Sequence, residues 1–343
     1  MKNSKKFIAI VCAVLMLASL ASCGSAGGYN KPIVCGETSM NDICGVATYG
    51  VDYYNLGVKA GDMAAEILLD GADPATMAVG SDPAPALSIN ETAAAELNFT
   101  VPESVKAKAG TAEAERLARE DSAIVESGAD FTVGILQLVQ HDALDNSNKG
   151  FVDELSIRMK EAGKTVTILD RNASGDQSNN ITISDTFVSQ KVDLIYAIAT
   201  SSAQAAANAT VESGIPVIFN AVTNPVDAGL VASFEAPGAN VTGVSDINPV
   251  ADQIDLISEL LGREDITIGL LYTSAESNSQ YQIELAKAEC DKRGFKYVVK
   301  GIGDLNDIES AFIALKDTDA IYIPTDNVLA NGAATIHSTN MGK

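Results

Sequence analysis

From position 131 onward, short runs of apolar, often β-branched residues alternate with longer stretches in which apolar residues recur every three to four positions. That alternation is the signature of βα units that build parallel sheets. It predicts strands at 131–139, 166–170, 192–199, 215–222, 266–272, 296–300 and 320–324. In the helix predicted at 143–162, Leu144, Phe151, Leu155 and Met159 fall on one face at spacings of seven, four and four, so this face packs on the sheet. The segment 227–248 breaks the rhythm with Gly229, Pro237, Gly238 and Gly243, and a second βα series resumes at Pro249. The segment is therefore expected to cross between lobes. The prediction is an α/β fold of two doubly wound parallel-sheet lobes around a hinge and cleft, with ligand beyond the carboxyl ends of the strands.

The series does not close at its ends. A last helix at about 328–342 stands where a further strand is due, while a strand at 31–36 has no helix before it. A strand at 46–51, an amphipathic helix at 53–69 and a strand-helix pair around 86–97 follow. Joining Lys343 to Lys31 restores the alternation, and 105–129, rich in Ala, Glu and Arg without a strong apolar stripe, reads as a helical or disordered linker. The order is expected to be circularly permuted: 31–104 is the displaced C-terminal part, shared between both lobes, 130–246 the first lobe and 247–343 the second.

Lys2, Lys5 and Lys6 precede an apolar run at 7–20 that is short for a membrane span and is followed by small residues, which predicts an export signal at 1–22. Leu20-Ala-Ser-Cys-Gly24 resembles the bacterial lipobox, which makes Cys23 the lipidated first residue of the exported chain and 23–30 its tether; the alternative is an ordinary signal with an incidental cysteine. The rest of the 343-residue chain exceeds the size at which a single core keeps growing, which suits two lobes. With 23 basic and 45 acidic residues the net charge is −22, which argues against a nucleic-acid footprint and against a patch for anionic lipids. The spacing of Cys35 and Cys44 fits either a small disulfide loop or two buried thiols, and no metal site is implied.

Several motifs resemble one family. They are Thr132-Val-Gly-Ile-Leu-Gln-Leu-Val-Gln-His-Asp-Ala-Leu-Asp145, Ala197-Ile-Ala-Thr-Ser-Ser-Ala-Gln-Ala-Ala-Ala207, Pro216-Val-Ile-Phe-Asn-Ala-Val-Thr-Asn-Pro225, Asn240-Val-Thr-Gly-Val-Ser-Asp246 and Tyr322-Ile-Pro-Thr-Asp-Asn327. Lys31-Pro-Ile-Val-Cys-Gly-Glu37 and Ala47-Thr-Tyr-Gly-Val-Asp-Tyr-Tyr-Asn-Leu-Gly57 complete the set. Together they resemble the ABC-type solute-binding proteins of tryptophan/tyrosine type, and the likeness covers nearly everything outside the signal and the linker. It implies a type I periplasmic-binding-protein fold, amino-acid ligands, and a permease and an ATPase on separate chains. The departure is the order, since 31–57 and the segment through Pro102 normally follow the Pro-Thr-Asp-Asn strand.

Polar residues just past each strand are the ligand candidates. The first lobe offers Gln140, His141 and Asp142, then Thr200, Ser201 and Ser202 at a helix start suited to a carboxylate, then Asn220 and Thr223. The crossover offers Ser245 and Asp246, and the second lobe offers Ser274, Ser277, Asn278, Asp326, Asn327 and Glu37. Asp246, Asp326 and Glu37 are placed to face an ammonium, so the set suits a zwitterion. Each has a plainer reading as a helix cap, a turn or an exposed acid, and Tyr53 and Tyr54 read better as packing than as stacking residues. HExxH, GxSxG, dinucleotide and P-loop patterns are all missing, so no catalytic residue or cofactor is expected. The expectation is an exported, lipid-anchored, monomeric importer receptor that closes on its ligand. A sensor for a membrane receptor and, further off, a secreted enzyme are the alternatives.

Overall fold

The computed structural model describes residues 28–82, 85–109 and 123–343. The signal, Cys23 and the centre of the linker lie outside the described residues. One six-stranded sheet contains β1 (Ile33–Cys35), β2 (Ala47–Gly50), β4 (Ala86–Ile89), β10 (Thr267–Thr273), β11 (Lys296–Ile302) and β12 (Ala320–Ile323), in the order β11-β10-β12-β1-β2-β4. The other contains β3 (Gly80–Ser81), β5 (Phe131–Gln137), β6 (Val166–Asn172), β7 (Leu194–Ile198), β8 (Val217–Asn220) and β9 (Val241–Ser245), in the order β3-β9-β8-β7-β5-β6. Neighbouring strands are parallel except β2 and β4.

Helices α1 (Thr38–Cys44), α2 (Tyr53–Asp70), α3 (Glu91–Glu96), α4 (Glu103–Lys106), α5 (Asp142–Glu161), α6 (Gln177–Gln190), α7 (Thr200–Thr210), α8 (Val250–Leu261), α9 (Ser277–Arg293), α10 (Ile308–Leu315), α11 (Asn327–Asn331) and α12 (Ala333–Met341) connect and cover the sheets. The predicted face of α5 is buried: Leu144, Phe151, Leu155 and Met159 are all at most 1% exposed, and Phe151 stacks on Tyr196 of β7 with ring centroids 3.8 Å apart. The helices α2 and α5 touch backbone to backbone. A Cβ on Gly57 would lie 2.1 Å from the Ser147 carbonyl, and one on Gly150 would lie 2.1 Å from the Tyr54 carbonyl.

Two expectations are corrected. The segment 227–248 is not wholly a crossover, because β9 lies within it and pairs with β8 and β3. Gly243, which read as a loop signal, lets two strands approach, since a Cβ there would lie 2.1 Å from the Phe219 carbonyl. The last helix is also two, α11 and α12, meeting at Gly332, where a Cβ would lie 2.3 Å from Leu305 Cδ2. Cys35 and Cys44 are free thiols, both buried, with sulfurs 3.9 Å apart, far beyond a disulfide bond. Among the described residues no helix is long and apolar enough to cross a membrane.

The chain passes between the sheets after β2, after β3, after β4 and after β9. Asn248 ties two of these passages: its Oδ1 accepts from the Val51 N–H at 3.1 Å, and its Nδ2 donates to the Asp246 carbonyl at 3.0 Å and to Thr325 Oγ1 at 3.1 Å. Between β12 and β2 lies β1, and the residues leading into it are held by α12. The Lys31 N–H donates to Asn340 Oδ1 at 2.9 Å, and Asn340 Nδ2 donates to the Lys31 carbonyl at 2.8 Å.

Candidate ligand-binding cleft

The carboxyl ends of both sheets meet in a cleft with an inner cavity of about 10 Å³, room for about one water. Glu37, Tyr53, His141, Asp246, Asn278 and Asp326 are among its lining residues. Asn327 links this cavity to a compartment of about 480 Å³ at one mouth, and Asn278 links it to a pocket of about 30 Å³ that contains Thr200 and Tyr281. Among the described residues, no Lys or Arg lines any of the three.

On the first lobe, the turn from β7 into α7 is strained. Ala199 has φ 81° and ψ 156°, a region that is otherwise almost exclusively glycine, and its carbonyl accepts the first bond of the helix from Ala203 at 3.0 Å. This geometry aims the first turn of α7 at the cleft. Thr200 is 4% exposed and its hydroxyl has no hydrogen-bond partner. His141 stands at the start of α5 with both ring nitrogens buried; Asn327 lies beside the ring, yet neither nitrogen meets hydrogen-bond geometry. Burial lowers its pKa, so the ring is neutral at pH 7. Unsatisfied buried donors and acceptors are costly, and two such groups stand at one cleft.

The acids face these groups. Asp246 accepts from the Tyr53 hydroxyl at 2.7 Å and from Thr223 Oγ1 at 3.1 Å, and burial raises its pKa despite both bonds. Glu37 caps α1 through the N–H groups of Ser39 at 2.6 Å and Met40 at 2.5 Å; burial outweighs these bonds and pushes its carboxyl up to about 7. Asp326 caps α11, accepting from the N–H of Leu329 at 2.9 Å and from Thr273 Oγ1 at 2.9 Å, and burial pushes it up as well.

Other expected residues lie elsewhere. Ser202 is wholly buried and donates to Asn180 Oδ1 at 2.9 Å, pinning α7 to α6. Asn220 donates to the Tyr196 hydroxyl at 2.8 Å inside the lobe, and Ser245 donates to the Thr223 carbonyl at 2.9 Å. Ser274 is bound to the Ile302 carbonyl at 2.9 Å. These four serve the framework because their side chains point back from the strand ends. Gln140 is exposed and lines a separate groove of about 700 Å³, and Asp142 is exposed opposite Asp42 of α1, whose pKa rises through burial and then through Asp142. Ser201 lines the mouth compartment, and Ser277 and Asn278 line the small pocket, with Asn278 Nδ2 donating to the Thr325 carbonyl at 3.0 Å.

Two lining residues escaped the strand-end rule. Tyr53 enters from the start of α2, and the apolar character of that helix favoured a packing role; Tyr54, beside it, does pack, donating to Asp153 at 2.9 Å. Glu276 precedes α9 and accepts from the N–H groups of Asn327 and Val328, each at 3.0 Å, and from Asn327 Nδ2 at 2.9 Å. Burial first, then the charge of Asp326, pushes it up to about 7.

The sequence matches the model of a family described as ABC transporter substrate binding protein over residues 2–113 and 132–343. A curated protein named tyrosine-binding protein, from Clostridioides difficile (strain R20291), is 40% identical over 200 residues, 58% of this chain and 57% of the relative. The chain thus spans less than two thirds of that relative's length. Among solved structures, an ABC domain in complex with L-Trp from Streptococcus pneumonia is 40% identical with a TM-score of 0.55, covering 61% of this chain and 70% of the other. A conserved domain protein from Vibrio cholerae is 34% identical with a TM-score of 0.55, covering 61% and 72%.

Proposed function

The chain belongs to the ABC transporter substrate binding protein family, and on that premise we propose that it captures an α-amino acid, aromatic in side chain, by closure of its two lobes. One observation carries this reading: Thr200 Oγ1 and both His141 nitrogens are buried without partners at a cleft that also presents Glu37, Asp246 and Asp326 and, among the described residues, no Lys or Arg. The ligand carboxylate takes the Thr200 hydroxyl and the first N–H groups of α7, where the helix dipole favours an anion. Its ammonium takes the acids. The names of the tyrosine-binding and L-Trp-bound relatives support the aromatic choice.

In this reading the protein works outside the cytoplasmic membrane, anchored through a lipid on Cys23, as a monomer that delivers its ligand to a separately encoded permease and ATPase. The order of the chain is circularly permuted. Support comes from the seat of β1 between β12 and β2 and from the paired bonds between Asn340 and Lys31.

The test is a thermal-shift screen of amino acids followed by calorimetry. A ligand at a hundredfold excess over its dissociation constant stabilises the folded state by about 2.7 kcal/mol. Thr200→Val is expected to weaken binding about tenfold while leaving unliganded stability within about 0.5 kcal/mol, since the hydroxyl bonds to nothing in the protein. A cooperative melt that no amino acid shifts overturns the proposal.

A further inference from the structure

We infer that the 480 Å³ mouth compartment is the side-chain subsite, and that Gln204 selects side chains carrying a hydrogen-bond donor at the tip, such as a phenol or an indole. The inference rests on the amino-acid reading above and deepens it. The compartment adjoins the inner cavity through Asn327 and the α7 turn through Ser201, so a side chain leaving the proposed backbone site has this space before it. Leu138 and Val139 of the first lobe and Val328 of the second supply apolar walls, which suit the body of a ring.

Two polar groups at these walls, Gln204 and Glu276, present acceptors whose orientation the protein fixes. Gln204 is half-buried on α7, and its Nε2 is committed to the Ala228 carbonyl at 2.9 Å. That bond fixes the orientation of the amide, so its Oε1, which takes part in no hydrogen bond among the described residues, is the free end. Across the compartment Glu276 adds a carboxylate, whose bonds to Asn327 and Val328 hold it in place. An acceptor fixed in this way rejects an analogue without the donor far more strongly than an apolar pocket rejects one with it.

Calorimetry of the purified protein with L-tyrosine, L-phenylalanine, L-leucine and L-arginine tests the assignment. Tyrosine is expected to bind at least about tenfold tighter than phenylalanine. Gln204→Leu should bring the two within about threefold by weakening tyrosine alone. Gln204→Glu loses the donor to Ala228 but keeps an acceptor, and should preserve the preference; a merely structural role would damage both variants and both ligands alike. Equal binding of tyrosine and phenylalanine by the wild type, or an unchanged ratio in Gln204→Leu, overturns the inference and leaves the amino-acid reading standing. Tightest binding of arginine overturns the aromatic assignment, and binding of none overturns both.

Discussion

Replacing Glu37 with Gln should make the protein less stable in mild acid and more stable in mild base. The carboxyl is 1% exposed, and burial raises it from 4.5 to about 7. A carboxyl raised in the folded state holds its proton longer there than in the unfolded chain, so the native state loses ground as the pH climbs from about 4.5 through 7. The gap corresponds to about 3 kcal/mol, fully felt above pH 7. Gln removes that dependence but accepts only one of the two N–H groups of Ser39 and Met40 that Glu37 caps, at a cost of about 1 kcal/mol. Urea denaturation should therefore find Glu37→Gln about 1 kcal/mol less stable at pH 4, where the wild-type carboxyl is still protonated in both states, and about 2 kcal/mol more stable at pH 8. Taking the difference between variant and wild type cancels the other acids of the cleft. The same difference at both pH values would show that Glu37 is not held against ionisation, and the electrostatic account of the inner cavity would fail.

Ala199→Gly relieves a backbone that costs about 1–3 kcal/mol, against a glycine penalty below about 1, so the melting temperature should rise; a fall would mean the strain is not there. Gly150→Ala drives a methyl into the Tyr54 carbonyl and should cost about 3 kcal/mol or more, seen as a lowered urea midpoint; a neutral result would mean α2 and α5 pack less closely. Tyr53→Phe strips Asp246 of its shorter hydrogen bond and should cost about 1–3 kcal/mol at pH 7, with an unchanged urea midpoint as the contrary result.

The fold was legible because its strands are short apolar runs flanked by amphipathic helices, and periodicity needs no tertiary information to detect them. What failed did so where tertiary contact reverses a local signal. Gly243 reads as a breaker until Phe219 is placed against it, and the two-residue β3 is too short to carry any period. The rule that polar residues past strand ends line the cleft holds for His141, Thr200, Asp246, Asp326 and Glu37, but it cannot tell which way a side chain turns. Ser202 and Thr200 differ by two positions, about 200° around a helix, so one faces α6 and the other the cleft. Tyr53 and Glu276 were invisible to it because they arrive from a helix start and a loop.

On the function proposed here, the distribution of charge gives lobe closure a direction. Asp246 of the first lobe lines the same cavity as Glu37 and Asp326 of the second, and among the described residues no Lys or Arg lines it to compensate. Each acid has its own hydrogen bonds, but those bonds do not offset the cost of holding a carboxylate away from water, and all three pKa values are raised by burial. Asn248 ties the passage after β2 to that after β9 through Val51 and Asp246, and it also bonds Thr325, which lines the cavity. On the function proposed here, the ligand ammonium is then the one cation available to the cavity, and its carboxylate satisfies Thr200 at the same moment. A molecule with only one of these groups leaves either the acids uncompensated or the hydroxyl unpartnered. On that proposal a zwitterion is favoured because both of its ends are needed at once.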